Sequence, residues 1–200
     1  MKYVSIDIET TGIHAKHDQI LSIGAIIEDT KTKLPYQELP KFHVALLHER
    51  IEGSHFAINM NKDLIANINK YLISKKQDRY ELIEKTGMEF RSPAEAVNLL
   101  HQFLVDNGFG EYGEQLTINV AGKNFGTFDK LFLERLPAFN RLIKFRNRIL
   151  DPSILYVDWE NDYALPSLNE CKERGGIPGA VTHDALEDAW DVIQALRKEY

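Results

Sequence analysis

The chain has 200 residues, 44% of them hydrophobic and 27% charged. That make-up belongs to a soluble globular chain able to bury one core, and it excludes a disordered one. Lysine and arginine total 24 against 30 aspartates and glutamates, a net charge of −6, which argues against a protein that holds nucleic acid by bulk positive charge.

Tyr3 to Glu9 alternates Val4, Ile6 and Ile8 with Ser5, Asp7 and Glu9, the period of two that a strand requires. Because the chain enters this strand at once, neither a signal nor a transit peptide is expected. Thr10-Thr11-Gly12 ends the run with turn chemistry. Ile20–Glu28 reads as a second strand, and a third is expected within Gln37–Leu47. From about position 59 the period becomes helical, with Leu64, Ile65, Ile68, Tyr71 and Leu72 on one stripe. The polar run Ser74–Arg79 reads as a solvated helix end or loop.

Ser92-Pro93-Ala94-Glu95 is a helix start: a capping serine, a proline in the first turn and a glutamate at the capping-box position. Ala96, Val97, Leu100, Phe103 and Leu104 continue it and Asn107-Gly108 stops it. A strand is expected over Leu116–Ala121, a helix over Thr127–Leu136, and a strand over Arg146–Leu150. A short helix follows Pro166-Ser167-Leu168, and a last one runs from about His183 to Lys198. Strands early and helices interleaved predict an α/β domain with a mixed sheet, taken as one domain over 1–200. Residues 29–91 form a variable, insertion-like region, the natural place for substrate specificity. The apolar runs are only a few residues long, so no membrane-spanning helix is expected. The single cysteine, Cys171, reads as a small core residue. With no disulfide to form, a reducing, cytoplasmic compartment fits.

Asp7 and Glu9 project from the same face of their strand, about 6–7 Å apart along it. Two neighbouring carboxylates repel and are costly to desolvate, a penalty a divalent cation removes. A solvated acidic edge strand explains the dyad equally well. Asp129 opens the middle helix, where a carboxylate also suits the helix dipole. Asp188 flanks the apolar stripe of the last helix, while Glu187 and Asp191 point further away. His183 stands at the mouth of that helix, suited to proton transfer or simply to solvent.

Taken together, Asp7-Ile8-Glu9-Thr10-Thr11-Gly12, Phe128-Asp129 and His183-Asp184-Ala185-Leu186-Glu187-Asp188-Ala189 resemble the three motifs of the DEDDh (DnaQ-like) 3′→5′ exonucleases. The resemblance implies a ribonuclease H-like α/β fold, a mixed five-stranded sheet with helices on both faces. It also implies two divalent ions, Mg²⁺ or Mn²⁺, about 3.5–4 Å apart. By resemblance Asp7 bridges both ions, Glu9 and Asp188 help hold the ion that activates water, and Asp129 acts on the other through water. His183 is then the general base, and the product is a nucleoside 5′-monophosphate. The expected partner is a nucleic acid with a 3′ end: single-stranded DNA or RNA, or short oligonucleotides. A polymerase or a second copy of the chain is a further partner of the kind the family uses. Asn124 lies five residues before Asp129, a spacing that looks more like the oligoribonuclease branch, whereas Thr10 and Thr11 look more like the proofreading branch.

Thr10, Thr11, Gly12 and Asn124 are expected near the terminal nucleotide. Phe128 either stacks on a base or begins a core stripe with Leu131 and Phe132. Lys144, Arg146 and Arg148 share one strand face, which reads as a phosphate track or, more simply, as a solvated face. His14 and His17 read as a solvated loop. The competing functions are a ribonuclease H-like endonuclease and a non-catalytic nucleic-acid-binding module.

Overall fold

The computed structural model describes residues Met1–Tyr200. Its centre is a five-stranded mixed sheet in the order β4-β3-β2-β1-β6, where β1 is Lys2–Thr10, β2 Ile20–Asp29, β3 Lys41–Leu46, β4 Glu89–Arg91 and β6 Val120–Ala121. β1 lies between antiparallel β2 and parallel β6, so the strand carrying Asp7 and Glu9 is central, not an edge. Val4, Ile6 and Ile8 face one way, with Ile23, Ala25 and Ile27 of β2, and pack beneath α4, Pro93–Asp106. The helices α5, Asp129–Leu133, and α6, Phe139–Leu142, add Phe132, Leu133 and Phe139 to this core.

The other face carries Tyr3 and Ile26, covered by Ala189, Val192 and Ile193 of α8, Ala185–Leu196. On the same side α2, Lys62–Ile73, and α3, Lys76–Thr86, cover Ala45 and Phe90 through Ile68 and Leu82. Helices therefore cover both faces. The capping box forms as expected at Ser92 and Glu95, and a second closes on Ser167 and Glu170 at the start of α7, Leu168–Gly175.

Several elements differ from their sequence expectation. Leu116–Ala121 is broken at Asn119 into β5, Leu116–Ile118, and β6. β5 pairs not with the main sheet but with β7, Ile143–Phe145. The strand expected at 146–150 is thus displaced toward the N-terminus, and only Leu150 of that stretch bridges, to Ala121. The middle helix is short, ending at Leu133 ahead of Pro137. The polar run 74–79 contains a helix start, since only Ser74 and Lys75 interrupt α2 and α3. Residues 29–91 provide β3, β4, α1 (His55–Met60), α2 and α3, so two of the five sheet strands come from this stretch. No helix is long and apolar enough to cross a membrane.

Candidate metal and active site

β1 places Asp7 and Glu9 on the face that α8 covers. Directly across from Asp7 in β2 stands Gly24. A Cβ at Gly24 would sit 2.3 Å from the backbone of Ala185 and Leu186. The bare glycine therefore lets the first turn of α8 rest on the sheet. Asp184 caps that turn, accepting hydrogen bonds from the Leu186 N–H at 3.0 Å and the Glu187 N–H at 3.1 Å. One turn on, Asp188 is buried against the β1 carboxylates.

His183 lies outside the helix, which begins later than its pattern predicts. Its φ of 58° is left-handed, uncommon for a residue with a Cβ and worth noting at a functional site. Metal-ligating atoms of Glu9, His183 and Asp188 all lie within 4.8 Å of one another. Asp129 arrives from the opposite core layer. Past Ser5, β1 has no further pairing to β6, and the Ile8 N–H donates instead to Asp129 Oδ1 at 3.2 Å. The end of β1 also carries a register irregularity between Glu9 and Thr10, a device that re-aims side chains beside active sites.

The electrostatics are those of acids crowded out of water. Burial, then repulsion by Asp129, Asp188 and Glu9, holds the Asp7 carboxyl well above the usual range. Burial and the Asp188 charge push Glu9 up to about 8, opposed by the Asn61 amide. Burial raises Asp129 to about 7 against the pull of backbone N–H groups. Asp188 is likewise raised by burial to about 7, eased by the Thr182 backbone and by Lys172. None of these four carboxylates has an ion-pair partner, and Asp188 Oδ1 is buried without a hydrogen bond. Hard oxygen donors with an unsatisfied buried acceptor and an imidazole beside them fit a divalent cation.

A hollow of about 230 Å³ opens over this cluster, reached by Asp7, Glu9, Asp188 and His183. Its far wall is apolar: Ile13, Phe56, Met60 and Phe128. Phe56 is 78% exposed and Ile13 74% exposed, which leaves their surfaces free to meet a flat apolar ligand. Thr10 and Gly12 also border the hollow, with the Thr10 hydroxyl donating to the Gly12 carbonyl at 2.7 Å.

Thr11 and Asn124 are not brought there. Thr11 is fully buried; its hydroxyl accepts from the Gln19 N–H at 2.9 Å and its carbonyl from the Ser54 N–H at 2.8 Å. Its place is to tie the turn after β1 to the start of α1. Asn124 is exposed in a left-handed turn, its N–H bound to Asp151 at 2.9 Å, and it borders neither this hollow nor the adjoining one. Phe128 lines the hollow and also packs 5.1 Å from the Phe132 ring, as the core-stripe alternative expects.

Sequence reasoning missed Phe56, Met60 and Asn61. Asn61 is buried, and its side-chain amide donates to the Thr10 carbonyl at 3.3 Å. The available signal was Ser54, whose hydroxyl caps α1 by accepting from the Ala57 N–H. It marks a helix start at 55, one turn ahead of the stripe.

No protein-family model matches the sequence, and no curated protein matches it. Solved structures do match. E. coli exonuclease I in complex with a dT13 oligonucleotide is 17% identical, with a TM-score of 0.59 over 98% of this chain and 40% of that one. The zinc-bound E. coli exonuclease I–single-stranded DNA complex gives 15% and 0.60 over the same shares. Cell-death related nuclease 4, CRN-4, gives 12% and 0.60 over 98% of this chain and 62% of that one.

The fold is ribonuclease H-like. This chain spans under half of exonuclease I and under two thirds of CRN-4, so the likeness concerns the fold and not those whole proteins.

Proposed function

We propose that the chain is a metal-dependent 3′→5′ exonuclease that removes nucleoside 5′-monophosphates from single-stranded nucleic acid. The observation that carries this reading is the meeting of Asp7, Glu9, Asp129 and Asp188 without a balancing cation, with His183 beside Glu9 and Asp188. The nuclease fold supports it, as do the oligonucleotides held by exonuclease I. In this reading residues 1–200 act as one nuclease domain, and the single buried cysteine, Cys171, suits a cytoplasmic setting. A polymerase or homodimer partner has no support and is not part of the proposal.

The four carboxylates would hold two Mg²⁺ or Mn²⁺ ions. When bound, these ions supply the Lewis acidity that stabilises the attacking and leaving oxygens. His183 takes the proton of the attacking water. The water oxygen bonds to phosphorus, the P–O3′ bond breaks, O3′ takes a proton from solvent, and the strand keeps a free 3′-hydroxyl. Phe128, Phe56, Ile13 and Met60 flank the terminal base, a sequence-tolerant contact, while Thr10 and Gly12 border the sugar.

The deciding test uses end-labelled single- and double-stranded DNA and RNA, with Mg²⁺ and then with EDTA. Stepwise release of mononucleotides from the 3′ end, lost in EDTA, is the expected result. Internal fragments would favour an endonuclease, and binding without cleavage a non-catalytic module. In parallel His183→Ala is expected to slow hydrolysis roughly 10²–10⁴-fold while Mn²⁺ binding stays measurable.

A further inference from the structure

A hollow larger than the one over the carboxylates lies elsewhere on the molecule. It measures about 540 Å³ and lies along β7 and the segment after it, beside β5 and the start of β1. Lys144, Arg146 and Arg148 line it, together with Thr117, Asn119 and Asn147, and no carboxylate does. In a chain of net charge −6 this is a local reversal of sign.

Several cations elsewhere have an acid of their own: Lys172 meets Asp191, Arg174 meets Asp162 and Arg197 meets Glu28. Lys144, Arg146 and Arg148 make no ion pair and no side-chain hydrogen bond. The backbone is nevertheless held at Lys144 and Arg146 and again at Leu150, on either side of Arg148. β7 pairs with β5, the Arg146 N–H donates to the Ile118 carbonyl at 2.9 Å, and the Leu150 N–H to the Val120 carbonyl at 3.0 Å. Rigid backbone with free guanidinium groups is what bidentate phosphate recognition needs. Lys144 and Arg146 stand about 7 Å apart along the chain, a step on the scale of one nucleotide. Phe145 between them is buried in the core, so no aromatic is offered for base stacking.

The hollow touches Met1 at one end of β1, whereas Asp7 and Glu9 stand near the other. Six to eight strand residues separate the two by about 20–26 Å.

We infer that this hollow is a second phosphate-binding subsite, gripping the backbone of a nucleic-acid strand at a distance from its reacting end. It rests on the nuclease reading above, which supplies the polyanion. It is independent of base sequence, since backbone contacts position a strand without reading it.

The test compares the unaltered chain with the triple variant Lys144→Gln, Arg146→Gln, Arg148→Gln. Affinity for a 20-nucleotide single strand is measured against salt in a His183→Ala background, and hydrolysis of a dinucleotide in the active background. The triple variant is expected to bind the long strand at least tenfold more weakly. Its salt slope should fall by about 2, at roughly 0.7 for each phosphate that is no longer neutralised. Dinucleotide hydrolysis should stay within twofold, and the charge-keeping variant Lys144→Arg, Arg146→Lys, Arg148→Lys should restore most of the slope. Unchanged strand affinity and slope would overturn the inference, as would a parallel loss of dinucleotide hydrolysis. Should the unaltered chain degrade neither the dinucleotide nor the 20-nucleotide strand, the nuclease reading fails while strand affinity still reports on the hollow.

Discussion

Asp188 and Asp191 stand nearly one turn apart on α8, both buried, and they meet opposite surroundings. Asp191 is answered by Lys172 of α7, itself buried. At the far end of the same helix region Arg197 answers buried Glu28. Asp188 instead joins Asp7, Glu9 and Asp129 and makes no ion pair of its own, Lys172 easing it only at a distance. The chain neutralises the acids that its packing needs and leaves open those around which the hollow forms. A buried ion pair is satisfied from within, whereas an unbalanced cluster asks for a ligand.

The largest effect expected on this contrast comes from Asp7→Asn. It should cost about 10³-fold or more in hydrolysis, since it removes a charge aimed at the reacting group. At the same time it relieves repulsion, so the metal-free protein should melt roughly 2–4 °C higher, the shift that about 1 kcal/mol gives at this chain length. Retained turnover with a lower melting temperature would break the comparison.

On the neutralised side, Lys172→Met leaves Asp191 buried without its partner. Urea unfolding should show a loss of about 3–5 kcal/mol, most of it recovered in the double variant with Asp191→Leu. If the single variant cost nothing, the two aspartates would not differ as described.

Proton linkage sharpens the contrast further. Glu9, Asp129 and Asp188 are raised to about 8, 7 and 7, so the folded state holds protons that the unfolded chain releases near pH 4. Their stabilising contribution is full below that pH and is lost as pH rises through 7–8. Scanning calorimetry of the metal-free protein should therefore show a melting temperature that falls from pH 5 to pH 8. Mn²⁺ should raise it more at pH 8 than at pH 5, because protons and ions compete for the same oxygens. An equal effect at both pH values would mean that the ion binds elsewhere.

The smallest effect is expected from Asn124→Gly. The residue lies outside the hollow at φ 56°, where glycine is at ease, and hydrolysis should stay within twofold.

Much of the site could be read before folding. The alternation through Val4, Ile6 and Ile8 already put Asp7 and Glu9 on one face, because strand periodicity is a local property. The helical stripe likewise put Asp188 at its rim. Asp191 was misread as pointing away, because a helical wheel knows the angle of a residue but not what packs against it. The region 29–91 resisted for a related reason. β4 is three residues long, too short to show a period, and it exists because β3 offers it a partner.

What the sequence determined by itself is therefore the facing of each side chain within its own element. Residue periodicity and capping chemistry act over a few positions and need no distant contact. Tertiary structure decided which elements meet: Gly24 admitting the first turn of α8 to the sheet, Ile8 holding Asp129, and Phe56 and Met60 arriving from α1. It also decided which charges are answered, because neutralising a buried acid depends on a cation brought from far along the chain. Lys172 reaches Asp191 across 19 residues and Arg197 reaches Glu28 across 169, pairings that no local pattern records.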